Sequence, residues 1–380
     1  MNNWDKLSEL NNGNDDVVAM IDALQQLHTT NNCTINIGHG GTCMRFLTAY
    51  IAAQRNKKVL LTGSQRMQQR TIKPLVDALT SLGAQINYTT NVGFPPLQII
   101  GTTLTTSTPV VIDASVSSQY ITALLLIAPY INNGVQLRLL GNVVSAPYIQ
   151  QTISVMQYFG ATVTMTGKNI FVAQTSYATP ATHLAIEADW SAAAFWYNYV
   201  AISPIDVVLK LMQLRTNTTQ GDEACMQLYA QLGVQSEVVA DGIIISKIKN
   251  FTIPTSFNID LTNTPDLAQP IVVSLAVLGI QSTLTGLQTL TIKETNRIEA
   301  MVNELAKFNV HCTTNTIDAL TINTALPLNY NNTAITTYHD HRMAMSFAPC
   351  VQLFNTLVID NKEVVNKSYR QFWSIMEGIK

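Results

Sequence analysis

Charge is what this sequence has least of. Only 12% of its 380 residues are Asp, Glu, Lys or Arg, against about 25% in an ordinary soluble domain. The 22 Lys and Arg against 24 Asp and Glu leave a formal net charge of −2. That excludes a nucleic-acid binder working through bulk positive charge. With 47% hydrophobic residues it also excludes a highly charged disordered chain. Cysteine is equally sparse: Cys33, Cys43, Cys225, Cys312 and Cys350 are odd in number and share no CxxC or zinc-ligand spacing, so neither a disulfide framework nor a structural zinc site is expected. The longest apolar stretch, Tyr120 to Ile131, is too short to span a bilayer. The opening MNNWDKLSEL has no basic region followed by an apolar core, so no signal peptide is read there. Pro/Gly/Ser-rich linkers are missing too. These absences predict a cytoplasmic α/β protein with reduced, buried thiols, no membrane contact and no nucleic-acid partner, and a monomer is taken as the default.

What is present is a repeat. Amphipathic segments end in Leu-Gly or an equivalent and run into a β-branched strand: Ile72–Leu82 before Gly83, Tyr148–Phe159 before Gly160, Asp222–Leu232 before Gly233, and Thr295–Phe308 before Asn309. The turn positions are spaced 77, 73 and 76 residues apart. Glycine, or asparagine in its place, is the residue that ends a helix in the left-handed conformation. A second helix type begins in a polar turn and then becomes apolar: from Gly40, Ser117, Asp189, Thr264 and Asp340. Its reference residues Thr42, Ser118, Ser191, Asp266 and Arg342 are 76, 73, 75 and 76 apart. Two helix series on one period predict a repeated βαβαβ-type unit of about 75 residues, with LQIIG, VQLRLLG, IDVVLKL and LVID as strands.

Six helices of the first type are counted, with Asp15–Leu27 and Arg370–Ile379, but five of the second. Extending the series backwards places a further strand and second-type helix ahead of Met1. The expected packing is two lobes of three repeats, residues 1–182 and 183–380, with the first repeat incomplete, a crossing near Pro180-Ala181-Thr182 and a cleft between the lobes.

In a chain so poor in charge, the polar residues at helix starts stand out, because free N–H groups and the helix dipole attract anions there. Arg45 and Arg66 lie beside Gly40-Gly41 and Gly63. Ser117-Ser118-Gln119 opens a helix with three hydrogen-bonding side chains; a plain N-cap explains Ser117 but not all three. Lys293-Glu294-Thr295-Asn296-Arg297 is the densest cluster, and Thr295 could be its helix cap. His339-Asp340-His341-Arg342 invites a metal reading, yet the two histidines straddle a helix start and no matching ligand trio accompanies them. Arg297 and Arg342 suit bidentate capture of carboxylate or phosphate. Asp266 is either a dipole partner or a general base.

At these residues the chain resembles the EPSP synthase (3-phosphoshikimate 1-carboxyvinyltransferase) family. The matching stretches are GHGGTCMRFL (38–47), LTGSQRMQQR (61–70), SSQYITALL (117–125), SAPYI (145–149), DWSAAAFW (189–196), PDLAQ (265–269), IKETNRIEAM (292–301), DHRMAMSFA (340–348) and NKSYRQFW (366–373). They run in family order from about residue 5 to the end. The resemblance implies a two-lobe enolpyruvyltransferase fold, an inside-out α/β barrel of three βαβαββ repeats per lobe. It implies transfer of the enolpyruvyl group of phosphoenolpyruvate to the 5-hydroxyl of shikimate 3-phosphate, with release of phosphate and without metal or organic cofactor.

Carried over by position, Ser117, Ser118, Gln119, Ser145 and Tyr148 would hold shikimate 3-phosphate, with Asp266 and Lys293 at its hydroxyls. Asp266 would accept the hydroxyl proton and Glu294 would act near the enol carbon, tuned by His341. Gly41, Arg66, Arg297, Arg342 and Lys367 would surround phosphoenolpyruvate. Asp189 reads as structural. The sequence departs from the family at His39 and Gly40, where many members have Asn-Ala, at Phe46 in place of proline, and at Thr289 in place of a substrate-contacting asparagine. The family's Lys-Ser-x-Ser-x-Arg motif belongs to the helix that the period places before Met1, so these residues alone are expected to turn over poorly. Two rivals remain. The sister enzyme acting on UDP-N-acetylglucosamine carries a reactive cysteine where this chain reads Asn91-Val92-Gly93-Phe94-Pro95-Pro96. A non-catalytic binding relative would not be expected to retain the charged set.

Overall fold

The computed structural model describes residues 13–106, 108–180, 185–314, 318–323 and 327–379. The turn residues that set the repeat adopt the conformation their chemistry favours: φ is +91° at Gly83, +87° at Gly160, +86° at Gly233 and +63° at Asn309. Each ends an amphipathic helix, and the chain then reverses into a strand.

The chain divides into two units, Met1–His183 and Leu184–Lys380; Ala181 and Thr182 of the expected crossing lie outside the described residues. The first unit opens with α1 (Asp15–Thr29) and continues through two βαβαββ blocks. The first block is β1 (Asn32–Asn36), α2 (Gly41–Ala52), β2 (Lys58–Thr62), α3 (Lys73–Ser81), β3 (Gln85–Tyr88) and β4 (Leu97–Ile100). The second is β5 (Val110–Asp113), α4 (Ser118–Ile127), β6 (Val135–Leu140), α5 (Ala146–Tyr158), β7 (Val163–Thr166) and β8 (Asn169–Val172).

The second unit holds α6 (Trp190–Ile202), β9 (Val208–Met212), α7 (Cys225–Ala230), β10 (Val234–Val239) and β11 (Gly242–Lys247). A complete block follows: β12 (Ser256–Asp260), α8 (Ala268–Val277), β13 (Gln281–Thr285), α9 (Arg297–Ala306), β14 (His311–Thr313) and β15 (Leu320–Asn323). The end is α10 (His341–Phe347) and α11 (Phe372–Gly378). The expected strand LVID is reduced to a single parallel bridge, Ile335 to Ile359. The tally of six first-type and five second-type helices holds among the described residues.

Three sheets share one topology, β1-β2-β4-β3, β5-β6-β8-β7 and β12-β13-β15-β14. In each the first two strands are parallel and the rest antiparallel. Parallel neighbours need a helical crossover, and the second-type helix supplies it. The fourth sheet is three-stranded, β10-β11-β9.

The two helix types differ in burial because they differ in pattern. All ten residues of α8 are buried, as are eleven of the thirteen in α6; a helix apolar all round belongs in the middle of a core. Helices α6, α8 and α10 pack on one another. In contrast α3 and α9 are two-faced and lie outside, burying Leu75, Val76, Ala78 and Leu79, or Ile298, Ala300, Met301 and Leu305. The polar N-terminal turns of the central helices therefore gather the charged residues. Among the described residues no helix is long and apolar enough to cross a membrane.

Candidate active site

In the second unit, one guanidinium organises the charged residues. Arg297 opens α9 and its side chain is only 2% exposed. Its Nε donates to Asp340 Oδ2 at 2.7 Å, Nη1 to Asp266 Oδ1 at 3.1 Å, and Nη2 to Glu294 Oε2 at 3.0 Å. Burial works against its charge, but Asp340, Glu294 and Asp266 outweigh that and raise its pKa above the ordinary arginine value. The cap of α9 is Asn296, whose Oδ1 accepts from the Glu299 N–H. Thr295 is not the cap, which frees the preceding Lys293-Glu294 to turn inward.

Around this centre stand three further cations. Arg342 Nη2 lies 3.1 Å from Asp266 Oδ2, and its Nη1 donates to the Asp266 carbonyl at 3.1 Å. Lys293 Nζ is 3.7 Å from Asp266 Oδ1, and Lys367 Nζ is 2.9 Å from Glu294 Oε1. Burial pushes the Asp266 carboxyl up, but Arg342, Lys293 and Arg297 together hold it well below the usual carboxylate range. The His341 side chain is buried, with Nδ1 3.7 Å from Asp340 Oδ1 and no hydrogen-bond partner among the described residues. Burial, and then Lys367, hold its pKa well below the ordinary histidine value, so it is a neutral imidazole at pH 7. Asp340 caps α10 by accepting from the Arg342 N–H at 2.9 Å, and the preceding Tyr338 and His339 are left-handed, at φ +53° and +58°. A paired left-handed turn in bulky residues stores strain of the kind found at functional sites. Asp222, buried and accepting a hydrogen bond from the Ser191 hydroxyl, joins the cluster electrostatically.

In the first unit, the predicted residues gather at the starts of α2, α4 and α5. Ser117 caps α4, its Oγ accepting from the Gln119 N–H at 3.2 Å, and Gln119 Nε2 donates to Thr42 Oγ1 at 3.1 Å. Ser145 is left-handed, φ +55°, and heads α5, whose first turn carries Tyr148. Gly41 begins α2, and a Cβ added there would lie 2.7 Å from Arg45 Nη1 and 2.9 Å from Arg70 Nη1. The heavy atoms nearest that position thus belong to Arg45 and Arg70. Arg66 instead heads the short turn Met67–Gln69, so Arg70 is the member of its motif that reaches Gly41. Arg70 sits four residues after Arg66 in one quoted stretch, and sequence spacing does not distinguish them. Asp189 caps α6, accepting from the Ser191 N–H at 2.9 Å, the structural part expected of it. The Thr289 hydroxyl is buried without a hydrogen-bond partner among the described residues.

This arrangement offers two things chemically. Cations on buried carboxylates can exchange those partners for substrate anions, and a carboxylate held ionised can accept a proton once its cations are drawn away.

Comparison with known proteins gives a consistent answer. Residues 5–376 match the family model described as EPSP synthase (3-phosphoshikimate 1-carboxyvinyltransferase). A 3-phosphoshikimate 1-carboxyvinyltransferase of Bacteroides fragilis is 43% identical over 361 residues, 94% of this chain and 85% of that protein. One from Methanospirillum hungatei is 33% identical over 91% of this chain and 79% of its own length. Among solved structures, an EPSP synthase from Acinetobacter baumannii superposes with a TM-score of 0.66 at 23% identity, covering 91% of this chain and 79% of that one, a likeness of fold.

Proposed function

We propose, for a chain that belongs to the EPSP synthase (3-phosphoshikimate 1-carboxyvinyltransferase) family, how its residues divide the work of enolpyruvyl transfer. The activity is that of an enolpyruvyl transferase of the shikimate pathway: the enolpyruvyl group of phosphoenolpyruvate passes to the 5-hydroxyl of shikimate 3-phosphate, and phosphate leaves. The observation that carries the assignment of roles is the Arg297 cluster, in which Lys293, Arg342 and Lys367 also converge on Asp266 and Glu294.

Arg297, Arg342 and Lys367 take the carboxylate and phosphate of phosphoenolpyruvate, as guanidinium forks and an ammonium suit. By the family resemblance Gly41 and Arg66 are assigned to phosphoenolpyruvate as well, and within the first unit Arg70 is the guanidinium of that motif beside Gly41. Ser117, Ser118, Gln119, Ser145 and Tyr148 hold shikimate 3-phosphate, and Lys293 steadies its hydroxyls. Asp266 accepts the proton of the attacking hydroxyl as oxygen bonds to the enol carbon. In the free protein Arg342, Lys293 and Arg297 make Asp266 a weak base. Drawing Arg342 and Lys293 onto substrate raises its basicity at the moment it is needed. Glu294 exchanges the proton at the methylene carbon, and neutral His341 stands behind it as a tuning group. The protein is read as a cytoplasmic monomer.

The test is phosphate release by this chain. It should require both phosphoenolpyruvate and shikimate 3-phosphate, and should not occur when UDP-N-acetylglucosamine replaces the latter. Tight binding of both substrates without any release, even with a Lys-Ser-x-Ser-x-Arg segment supplied ahead of Met1, would favour a non-catalytic relative.

A further inference from the structure

Asp222 belongs to none of the assigned roles, yet it sits within the electrostatic reach of the cluster. It lies in the turn Gly221–Ala224 ahead of α7, only 2% exposed. The Ser191 hydroxyl, on the first turn of α6, donates to its Oδ2. Helix α6 packs against this turn and also against the turn Pro265–Leu267 that carries Asp266. The charged and titratable groups acting on it are Asp266, Arg342 from the first turn of α10, and Asp189 at the cap of α6. On its own side are Glu223 and the buried Cys225 thiol. With Asp222 ionised, the buried or half-buried cations Lys293, Arg297, Arg342 and Lys367 face Asp222, Asp266, Glu294 and Asp340, four against four, and the exposed Asp189 adds a further negative charge at the edge.

A buried cluster already in balance must do something when an anion enters, because excess buried charge of one sign is costly. A carboxyl in it can bind a proton. Asp266 starts furthest from protonation in the free protein, where its cations hold it ionised. Asp222 is poised for it: burial first, then the charge of Asp266, push its carboxyl up to about 6, while Ser191 and Arg342 pull the other way and Asp189 adds to the rise.

Resting on the functional reading above, we propose that Asp222 takes up a proton from solvent when phosphoenolpyruvate docks against Arg342, and returns it when the anion leaves. The O–H bond forms at an Asp222 carboxylate oxygen, the proton comes from the buffer acid, and no bond to substrate is made. Asp222 is thereby a positioning residue: it keeps Arg342 available to the substrate by withdrawing a competing negative charge.

The test is calorimetric titration of the full chain with phosphoenolpyruvate in the presence of the 5-deoxy analogue of shikimate 3-phosphate, which lacks the attacking hydroxyl and cannot react, in buffers of different ionisation enthalpy. Docking should take up close to one proton near pH 7, with the uptake fading below about pH 6 as the free protein becomes protonated in advance. Asp222→Asn should abolish that uptake and bind phosphoenolpyruvate roughly tenfold or more tightly at pH 8, where the wild-type carboxylate opposes the anion. Ser191→Ala removes the hydrogen bond that favours the ionised form, so its uptake window should move to higher pH. Uptake that persists in a folded Asp222→Asn protein overturns the proposal. If that variant does not fold, an unmoved window in Ser191→Ala overturns it instead. Wild-type binding without proton uptake defeats this proposal and leaves the functional reading standing, whereas no binding of phosphoenolpyruvate defeats both.

Discussion

Arg297 and Asp340 face each other through two hydrogen bonds, Nε to Oδ2 at 2.7 Å and Nη2 to Oδ1 at 3.4 Å, both side chains removed from solvent. The same carboxylate caps α10 through the Arg342 N–H. One aspartate therefore fixes the guanidinium of Arg297 and the start of the helix that presents Arg342. Removing it leaves a buried cation short of a partner, a change that costs about 3–5 kcal/mol in buried pairs. Asp340→Ala should lower the urea midpoint accordingly, while Asp340→Asn, which keeps one acceptor oxygen, should lose less. Equal midpoints for wild type and Asp340→Ala would contradict this pairing.

Under the proposed division of roles Asp266 is the proton acceptor, with Oδ1 facing Arg297 and Oδ2 facing Arg342. Asp266→Asn keeps the shape and removes the base. The expected loss is in kcat, about 10²–10⁴-fold for a positioned general base, with a smaller change in KM. Steady-state kinetics on protein whose circular dichroism matches wild type decides it; a loss confined to KM would make Asp266 a binding group.

Gly41 has no room for a side chain: a methyl there would meet Arg45 Nη1 at 2.7 Å and Arg70 Nη1 at 2.9 Å. Both obstacles are the far ends of flexible side chains, so Gly41→Ala should fold and should displace the guanidiniums. Overpacking of this kind costs about 1–3 kcal/mol, which here should appear as a raised KM for phosphoenolpyruvate. An unchanged KM would remove Gly41 and its arginines from the binding set.

The parts of this protein that recur along the chain were legible in its sequence. Gly83, Gly160, Gly233 and Asn309 announce left-handed helix ends by residue type alone, and the evenness of their spacing fixes the repeat. Asp266, His341 and Arg342 lie at the starts of the central helices α8 and α10, and Lys293, Glu294 and Arg297 at the start of α9, where polar residues interrupt apolar runs. What could not be read depends on tertiary reach. Arg66 and Arg70 share a short motif, and only the fold decides which guanidinium arrives at Gly41. Asn296 and Thr295 are both competent caps, and only the fold shows that Asn296 Oδ1 takes the Glu299 N–H. Asp222 sits in an ordinary helix start; its burial beside Ser191, Asp266 and Arg342 is set by the packing of α6. The strand expected at LVID reduces to one bridge, because its partner segment contributes Ile335 alone.

Asp222 also has a stability consequence. Its folded-state carboxyl titrates near 6, above the ordinary 3.8, so the unfolded chain gives up this proton at lower pH than the folded one. This group's contribution is therefore most favourable below about pH 4 and is lost as pH rises to 6. Asp222→Asn, which cannot ionise, should gain about 1–3 kcal/mol over wild type at pH 8 and nothing near pH 4. Denaturant titrations at the two pH values measure it; a gain of the same size at both would assign the effect to packing.

The fate of the bridging oxygen of phosphoenolpyruvate distinguishes enolpyruvyl transfer from hydrolysis. Enolpyruvyl transfer breaks the bond between that oxygen and carbon, so phosphate leaves with it. With phosphoenolpyruvate labelled with ¹⁸O at the bridge and shikimate 3-phosphate present, phosphorus NMR should show the label in the released phosphate, together with one equivalent of a new enol ether. Label remaining with pyruvate, or phosphate released without shikimate 3-phosphate, would exclude enolpyruvyl transfer by this protein.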